Sequence, residues 1–346
     1  MRDVLLLSPR PTLNPLVYLK EEGVIVHSSS RRSFLRWAGL AGLGLQGLRA
    51  RSEEPVEAEG PYIDIHTHLG RTWTGDPTLT AAELIHWMDE HRVAKAVVLP
   101  LVSPESSSYL NLTEQALAAS ARWPERLIPF CCIDPRTSYT GGKAGLRSMI
   151  AEYVAQGARG FGELKAGLPI DDARMMDLYE ACGELKLPVL FHMDTLRGTD
   201  TPGLPGLERV LKRFSEVPFI GHGPGFWASI GGDPTPADLG GYPVGPVQPG
   251  GALDRLFEAH ANLWGDLSAG SGANALSRDR AFARQFLIRR ADRLLFGTDF
   301  LKVGQAVPQF ELLASFGLPN DVKAKIEREN ATRLLGLEPL GDAAGH

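Results

Sequence analysis

From residue 61 onward the chain alternates short apolar runs with amphipathic segments of helical period. The runs Tyr62–His66, Lys95–Leu99, Leu127–Ile133, Gly160–Lys165, Val189–His192, Phe219–His222, Leu263–Leu267 and Leu294–Gly297 read as eight strands. Between them, Thr80–Glu90, Thr113–Trp123, Ala144–Gln156, Asp172–Leu185, Leu207–Phe214, Ala252–His260 and Asp279–Arg290 read as helices, and Val307–Phe316 and Asp321–Leu335 follow as two more. Thr80 and Glu83 have the spacing of a capping box, and Thr113 is placed to cap the next helix.

Such a repeat of strand and helix predicts an α/β protein, a closed (β/α)₈ TIM barrel, over residues 61–346. The rival, a doubly wound open sheet, collects its site at one crevice near the middle of the strand order. Here polar residues close the first, fourth, fifth, sixth and eighth runs, and only a closed ring sets the first strand beside the eighth. One stretch interrupts the rhythm. Gly223 to Gly251 is rich in Gly and Pro, carries Phe226, Trp227 and Tyr242, and directly follows His222, so it reads as a lid over the site.

Composition adds little to this picture and removes some alternatives. At 346 residues, with 43% hydrophobic and 22% charged residues, the chain can bury a core without staples. A net charge of -5 offers no electrostatic case for nucleic acid. The 38 Gly and 25 Pro fall between the periodic segments, which points to many loops on a regular scaffold. Of three cysteines, Cys131 and Cys132 are adjacent and Cys182 stands alone, so they read as small buried apolar residues, not a disulfide framework.

Residues 1–60 form an N-terminal extension of another kind. Ser30-Arg31-Arg32-Ser33-Phe34-Leu35-Arg36 precedes a mildly apolar, Gly-rich run from Trp37 to Leu48, a pattern resembling a twin-arginine export signal. The run is too short to span a bilayer, which takes roughly 20 residues. The expected location is therefore periplasmic or extracellular, with the membrane met only through export or an uncleaved leader.

The chemistry gathers at strand ends. His66 and His68, separated by Thr67, share a strand face and make half of a divalent-metal site. His192 and His222 close later runs and Asp299 follows the eighth, whereas His86, His91 and His260 lie on helical segments. Imidazole nitrogen and carboxylate oxygen suit a borderline metal such as zinc, and a catalytic site leaves a position open for water, whose pKa the metal lowers. A neighbouring carboxylate, Asp299, is the expected proton acceptor.

The set Asp64-Ile65-His66-Thr67-His68, His192, His222 and Gly297-Thr298-Asp299 resembles the amidohydrolase superfamily, in its amidohydrolase-related branch of hydrolases and zinc-dependent decarboxylases. The closing Glu329-Asn330-Ala331-Thr332-Arg333-Leu334-Leu335-Gly336-Leu337 is similar to that branch's C-terminal helix, so the resemblance covers residues 61 to about 337. It implies that His66 and His68 bind a first metal completed by Asp299, that His192 is a further ligand, and that His222 binds a second metal or faces the reacting water. On the fourth strand Glu163 and Lys165 share one face. Three readings stay open there: Glu163 as a ligand bridging metals, a carboxylated Lys165, or the two pairing with each other.

Further expectations concern the surroundings. Asp64 reads as a hydrogen-bond partner one layer deeper. Asp266 and Ser268 face the mouth by strand alternation and are expected to touch substrate. Arg71 and Arg197 are candidate clamps for a substrate carboxylate, and Trp73, Trp227 and Trp264 candidate walls. The expected activity is metal-dependent hydrolysis of an amide, ester or lactone-type bond in a small molecule, using one or two ions, most readily zinc. Non-oxidative decarboxylation is the alternative, and the scaffold is compatible with a homo-oligomer.

Overall fold

The structure, a computed structural model, describes residues 60–137 and 142–340. The twin-arginine segment lies outside the described residues. Among the described residues no helix is long and apolar enough to cross a membrane.

Among the described residues there are eight parallel strands: β1 (Tyr62–Thr67), β2 (Val93–Val98), β3 (Leu127–Pro129), β4 (Phe161–Leu164), β5 (Val189–His192), β6 (Phe219–His222), β7 (Leu263–Asp266) and β8 (Leu294–Leu295). They pair in sequence order, β1 to β3 in one ladder and β4 to β8 in another. Single bridges join the ladders into a ring. Cys131 pairs with Phe161, with Cys131 N donating to Gly160 O at 2.9 Å and Gly162 N to Cys131 O at 2.8 Å. On the other side Ile65 N donates to Phe296 O (3.0 Å), Asp299 N to His66 O (2.8 Å) and His68 N to Phe300 O (2.9 Å). The barrel is closed, and the first strand lies beside the eighth.

Strand ends differ from the sequence pattern where other partners intervene. The third strand stops at Pro129 rather than Ile133. The eighth ends at Leu295 because the next amide, Phe296 N, donates to Ile326 O at 2.9 Å. That carbonyl is available because the last helical stretch is not one helix. Asn320–Ala324 passes through a π turn at Lys325–Glu329 before Asn330–Leu335. The buried Asn330 amide then donates to Ala291 O (2.6 Å) and Leu294 O (2.8 Å).

The helix Ala81–Glu90 has the expected capping box: Thr80 Oγ1 accepts from Glu83 N, and Glu83 accepts from Thr80 N. Thr113 does not cap. Leu112 occupies the cap position, and the buried Thr113 hydroxyl exchanges hydrogen bonds with the Cys132 backbone instead. Two helices carry no signal in the sequence pattern, the short Pro224–Ala228 inside the Gly- and Pro-rich stretch and Ala269–Ser277. Ala269–Ser277 has small residues where an apolar stripe would stand, and at Gly272 a Cβ would come within 2.3 Å of Leu267 O.

Ile63, Ile65, Val97, Leu99, Ile128, Phe130, Leu190, Ile220, Trp264 and Leu295 form one core cluster, joined by Ala331 and Leu335. Burying each such side chain is worth about 1.5–3 kcal/mol. A larger cluster, including Phe161, Phe191, Phe219 and Phe286, joins the strands to the helices around them. The three cysteines are free and buried, as expected, and burial pushes the Cys131 thiol up to about 12.

Candidate metal centre

β1 delivers His66 and His68 with their rings already oriented. His66 Nδ1 lies 2.7 Å from Asp266 Oδ2, and His68 Nδ1 lies 2.9 Å from Leu99 O. Both partners are acceptors, so in the neutral rings each Nδ1 carries the proton and each Nε2 presents a lone pair. Those two lone pairs face each other at 3.1 Å. Asp299 Oδ1 lies 3.5 and 3.3 Å from the same two nitrogens, is buried, and has no hydrogen-bond partner. Glu163 Oε2 lies 3.5 Å from His68 Nε2 and 3.9 Å from His66 Nε2.

Four electron-rich atoms turned toward one another are unfavourable without a cation among them. The edges of a tetrahedral zinc site with bonds near 2.0–2.1 Å measure about 3.3 Å. The observed separations match that scale, so these residues fit a divalent metal.

Glu163 also faces a second set. Its Oε1 lies 3.0 Å from His192 Nδ1 and 3.9 Å from His222 Nε2. Gly162 makes this placement feasible: its φ is +140°, and a Cβ there would meet Leu190 O at 2.3 Å. Burial raises the Glu163 pKa, but the Lys165 ammonium and the His192 hydrogen bond outweigh it and hold the group well below its ordinary value. Asp299 behaves alike: burial raises it, and His66 and His68 bring it below the usual carboxylate range.

Asp266 organises the floor. Its Oδ2 reaches His66 Nδ1, His222 Nδ1 (3.0 Å) and Ser268 Oγ (2.8 Å), and its Oδ1 accepts from Ser268 N (2.9 Å). Burial raises its pKa, while the two imidazoles and their hydrogen bonds pull it further down. Asp266 and Ser268 are fully buried, so they orient imidazoles instead of meeting a substrate. Asp64 lies deeper, as expected, accepting from His66 N and from Thr298 N and Oγ1, and burial pushes its pKa up to about 7.

Asp194 is a site residue that the sequence reading missed. Its Oδ2 lies 3.0 Å from His192 Nε2 and 2.5 Å from Arg197 Nη1, and its Oδ1 accepts from the amides of Leu196 and Arg197. The His192-x-Asp194 spacing at a strand end, like that of His66 and His68, was the available signal. Both nitrogens of His192 therefore face carboxylates.

A cavity of about 420 Å³ opens above these groups. Lys165, His192, Asp194, Arg197, His222 and Asp299 line it, with Trp73 and the serines 106–108. Lys165 Nζ sits 3.4 Å from Glu163 Oε2 and 4.2 Å from the Trp73 ring centroid. The stretch after β6 is only partly a cover. Pro224, Gly240 and Tyr242 line the cavity, but Phe226 and Trp227 are core.

Three expected contacts fail. Trp227 is buried, with Nε1 donating to Asp266 O at 2.8 Å, so it braces the floor from outside. Trp264 is within the barrel core. Arg71 does not line the cavity; it lies over the Tyr109 ring and donates to Gly75 O.

Comparison with solved structures gives neighbours that agree with this fold. A hydrolase described as acting on 2-pyrone-4,6-dicarboxylic acid, from Pseudomonas putida, is 19% identical with a TM-score of 0.56, over 80% of this chain and 98% of that one. An amidohydrolase from Burkholderia multivorans with bound zinc is 15% identical with a TM-score of 0.52, over 80% and 99%. A dihydroxybenzoic acid decarboxylase from Polaromonas sp. JS666, with manganese and 2-nitroresorcinol, is 16% identical with a TM-score of 0.50, over 83% and 100%. Comparison with curated proteins gives no match. A family model described as amidohydrolase matches residues 63–337, and this protein therefore belongs to the amidohydrolase family, whose members are metal-dependent hydrolases or decarboxylases.

Proposed function

We propose that this protein is a metal-dependent hydrolase that cleaves an amide, ester or lactone-type bond of a small molecule. The observation that carries the reading is the Glu163 carboxylate, with Oε2 toward His66 and His68 and Oε1 toward His192 and His222. A carboxylate with one oxygen toward each imidazole pair suits two ions held side by side. His66, His68 and Asp299 would hold the first, His192 and His222 the second, with Glu163 shared.

When bound, the ions supply Lewis acidity toward a substrate carbonyl and toward water. Asp299 accepts the proton of the attacking water and returns it to the leaving group, a task supported by its place on the cavity lining and by a lowered pKa that keeps the carboxyl ionised. Asp266 keeps His66 and His222 in the tautomers that leave each Nε2 free. Zinc is favoured by the nitrogen and oxygen donors and by the Burkholderia neighbour; manganese, found in the Polaromonas neighbour, is the alternative.

A second reading, non-oxidative decarboxylation, is favoured by Lys165 and Arg197, two cations that line the cavity and suit a substrate carboxylate. The zinc-loaded protein, screened against lactones, esters and amides with carbon dioxide release followed in parallel against aromatic carboxylates, separates the two. Hydrolytic turnover is expected; carbon dioxide release without hydrolysis overturns the main reading. Export to the periplasm or beyond is supported by Ser30–Arg36 and its Gly-rich sequel, and substituting Lys for Arg31 and Arg32 should retain the protein inside the cell.

A further inference from the structure

Every large apolar side chain that stands exposed among the described residues lies on a loop that follows the carboxyl end of a strand. Trp73 follows β1, Leu110 and its neighbours follow β2, Leu196 follows β5, Tyr242 and Val244 follow β6, and Val303 follows β8. None is on the outer face of a helix. Each stands within four residues of one that lines the cavity. Soluble proteins scatter single exposed apolar residues without pattern, whereas a concentration around a polar pit marks a binding surface.

Two residues join this collar to the site. Trp73 is 42% exposed and Tyr242 55%, yet both line the cavity, and the Trp73 ring covers the buried ammonium of Lys165. Trp73 and Tyr242 thus belong both to the cavity wall and to the exposed apolar set, and Leu110 and Leu196 stand two and one residues from the cavity-lining Ser108 and Arg197. A second copy of the chain seated on the collar would shut the entrance, which leaves the substrate as the occupant consistent with catalysis.

We propose that the substrate is an amphiphile: a polar reactive group beside Asp299 and Glu163, an anionic centre near Lys165, and an alkyl or aryl body of several carbons laid outward across Trp73, Tyr242, Leu110 and Leu196. This rests on the cavity being the catalytic site, as proposed above, but not on which bond is broken.

The test uses unbranched alkyl carboxylates from acetate to decanoate, titrated into the zinc-loaded full chain by calorimetry. Beyond butanoate the Kd falls about twofold per methylene, roughly half the gain of complete burial. A Leu110→Ser, Leu196→Ser double variant loses most of that gain for decanoate while binding acetate as before. A Kd independent of length, or no binding at any length, overturns the proposal. So does a chain that sediments as a dimer only while Leu110 and Leu196 are intact, or that binds phosphatidylcholine vesicles through them. No turnover is read, so failure of the hydrolase reading would leave the length series intact.

Discussion

Asp64 and Thr298, 234 residues apart in the chain, are joined by two hydrogen bonds, from Thr298 N at 3.0 Å and from Thr298 Oγ1 at 2.5 Å. The same carboxyl accepts from His66 N at 3.0 Å, so one buried group fixes both the strand that carries the histidine pair and the loop that carries Asp299. Thr298→Val removes the hydroxyl while keeping the shape. The buried carboxyl then lacks a donor, at a cost of about 1–3 kcal/mol of stability. Denaturant unfolding measures that loss. Because Asp299 is the next residue, zinc affinity should fall with it; unchanged stability and affinity would show that the loop is held otherwise.

Asp299→Asn keeps the size of the side chain but cannot accept a proton. Turnover should drop by about 10²–10⁴-fold, the usual worth of a general base, with little change in the unfolding midpoint. Near-normal kcat would remove Asp299 from proton transfer.

The barrel was legible because its strands are short apolar runs that end in polar side chains, and because those ends could share a site only in a ring. His66, His68, Glu163, His192, His222 and Asp299 converge for that reason. What escaped depends on three-dimensional neighbours. Trp227 turns under Asp266, where alternation along a strand has nothing to say about a residue five positions beyond it. Asp266 and Ser268 face the site but sit behind the imidazoles, and depth is not encoded in period. The helix at Ala269–Ser277 is held by close packing of small residues, which leaves no hydrophobic stripe to detect.

Asp266→Asn tests the depth argument. Asn can still accept from one imidazole, but it adds an amide N–H that cannot donate to a protonated Nδ1, so the His66 and His222 tautomers are no longer both enforced. Metal affinity should fall about 10–100-fold. Titration of the apo-protein with zinc reads it directly, and an unchanged Kd would mean that the rings are held by packing alone.

The cavity rim offers a pH prediction. Glu105 binds Arg136 through both carboxylate oxygens at 2.6 Å, and that pairing lowers its pKa to about 2. A folded-state pKa below the unfolded value of 4.5 means that the contribution is fully present above pH 4.5 and fades as pH falls toward 2. Glu105→Gln should therefore lower the Tm at neutral pH, with the gap to wild type closing between pH 4.5 and 2. A gap constant across that window would assign the loss to packing.

Glu163→Gln bears on how many ions the centre holds. The wild-type carboxylate faces both imidazole sets and carries the charge that helps two cations share a small volume. The amide offers one oxygen acceptor and an N–H₂ group that repels a cation. Stoichiometry by elemental analysis should fall from two zinc ions to one, and chelation should then cost less thermal stability than in wild type, since each ion bound only to the folded state adds about 2.7 kcal/mol at a free concentration of 100 times its Kd. Lys165 would lose its nearest anion, so its ammonium would press on the remaining site and weaken it further. A wild-type protein that binds a single zinc, unaffected by Glu163→Gln, would leave His192 and His222 without a metal and move the balance toward the one-ion decarboxylase.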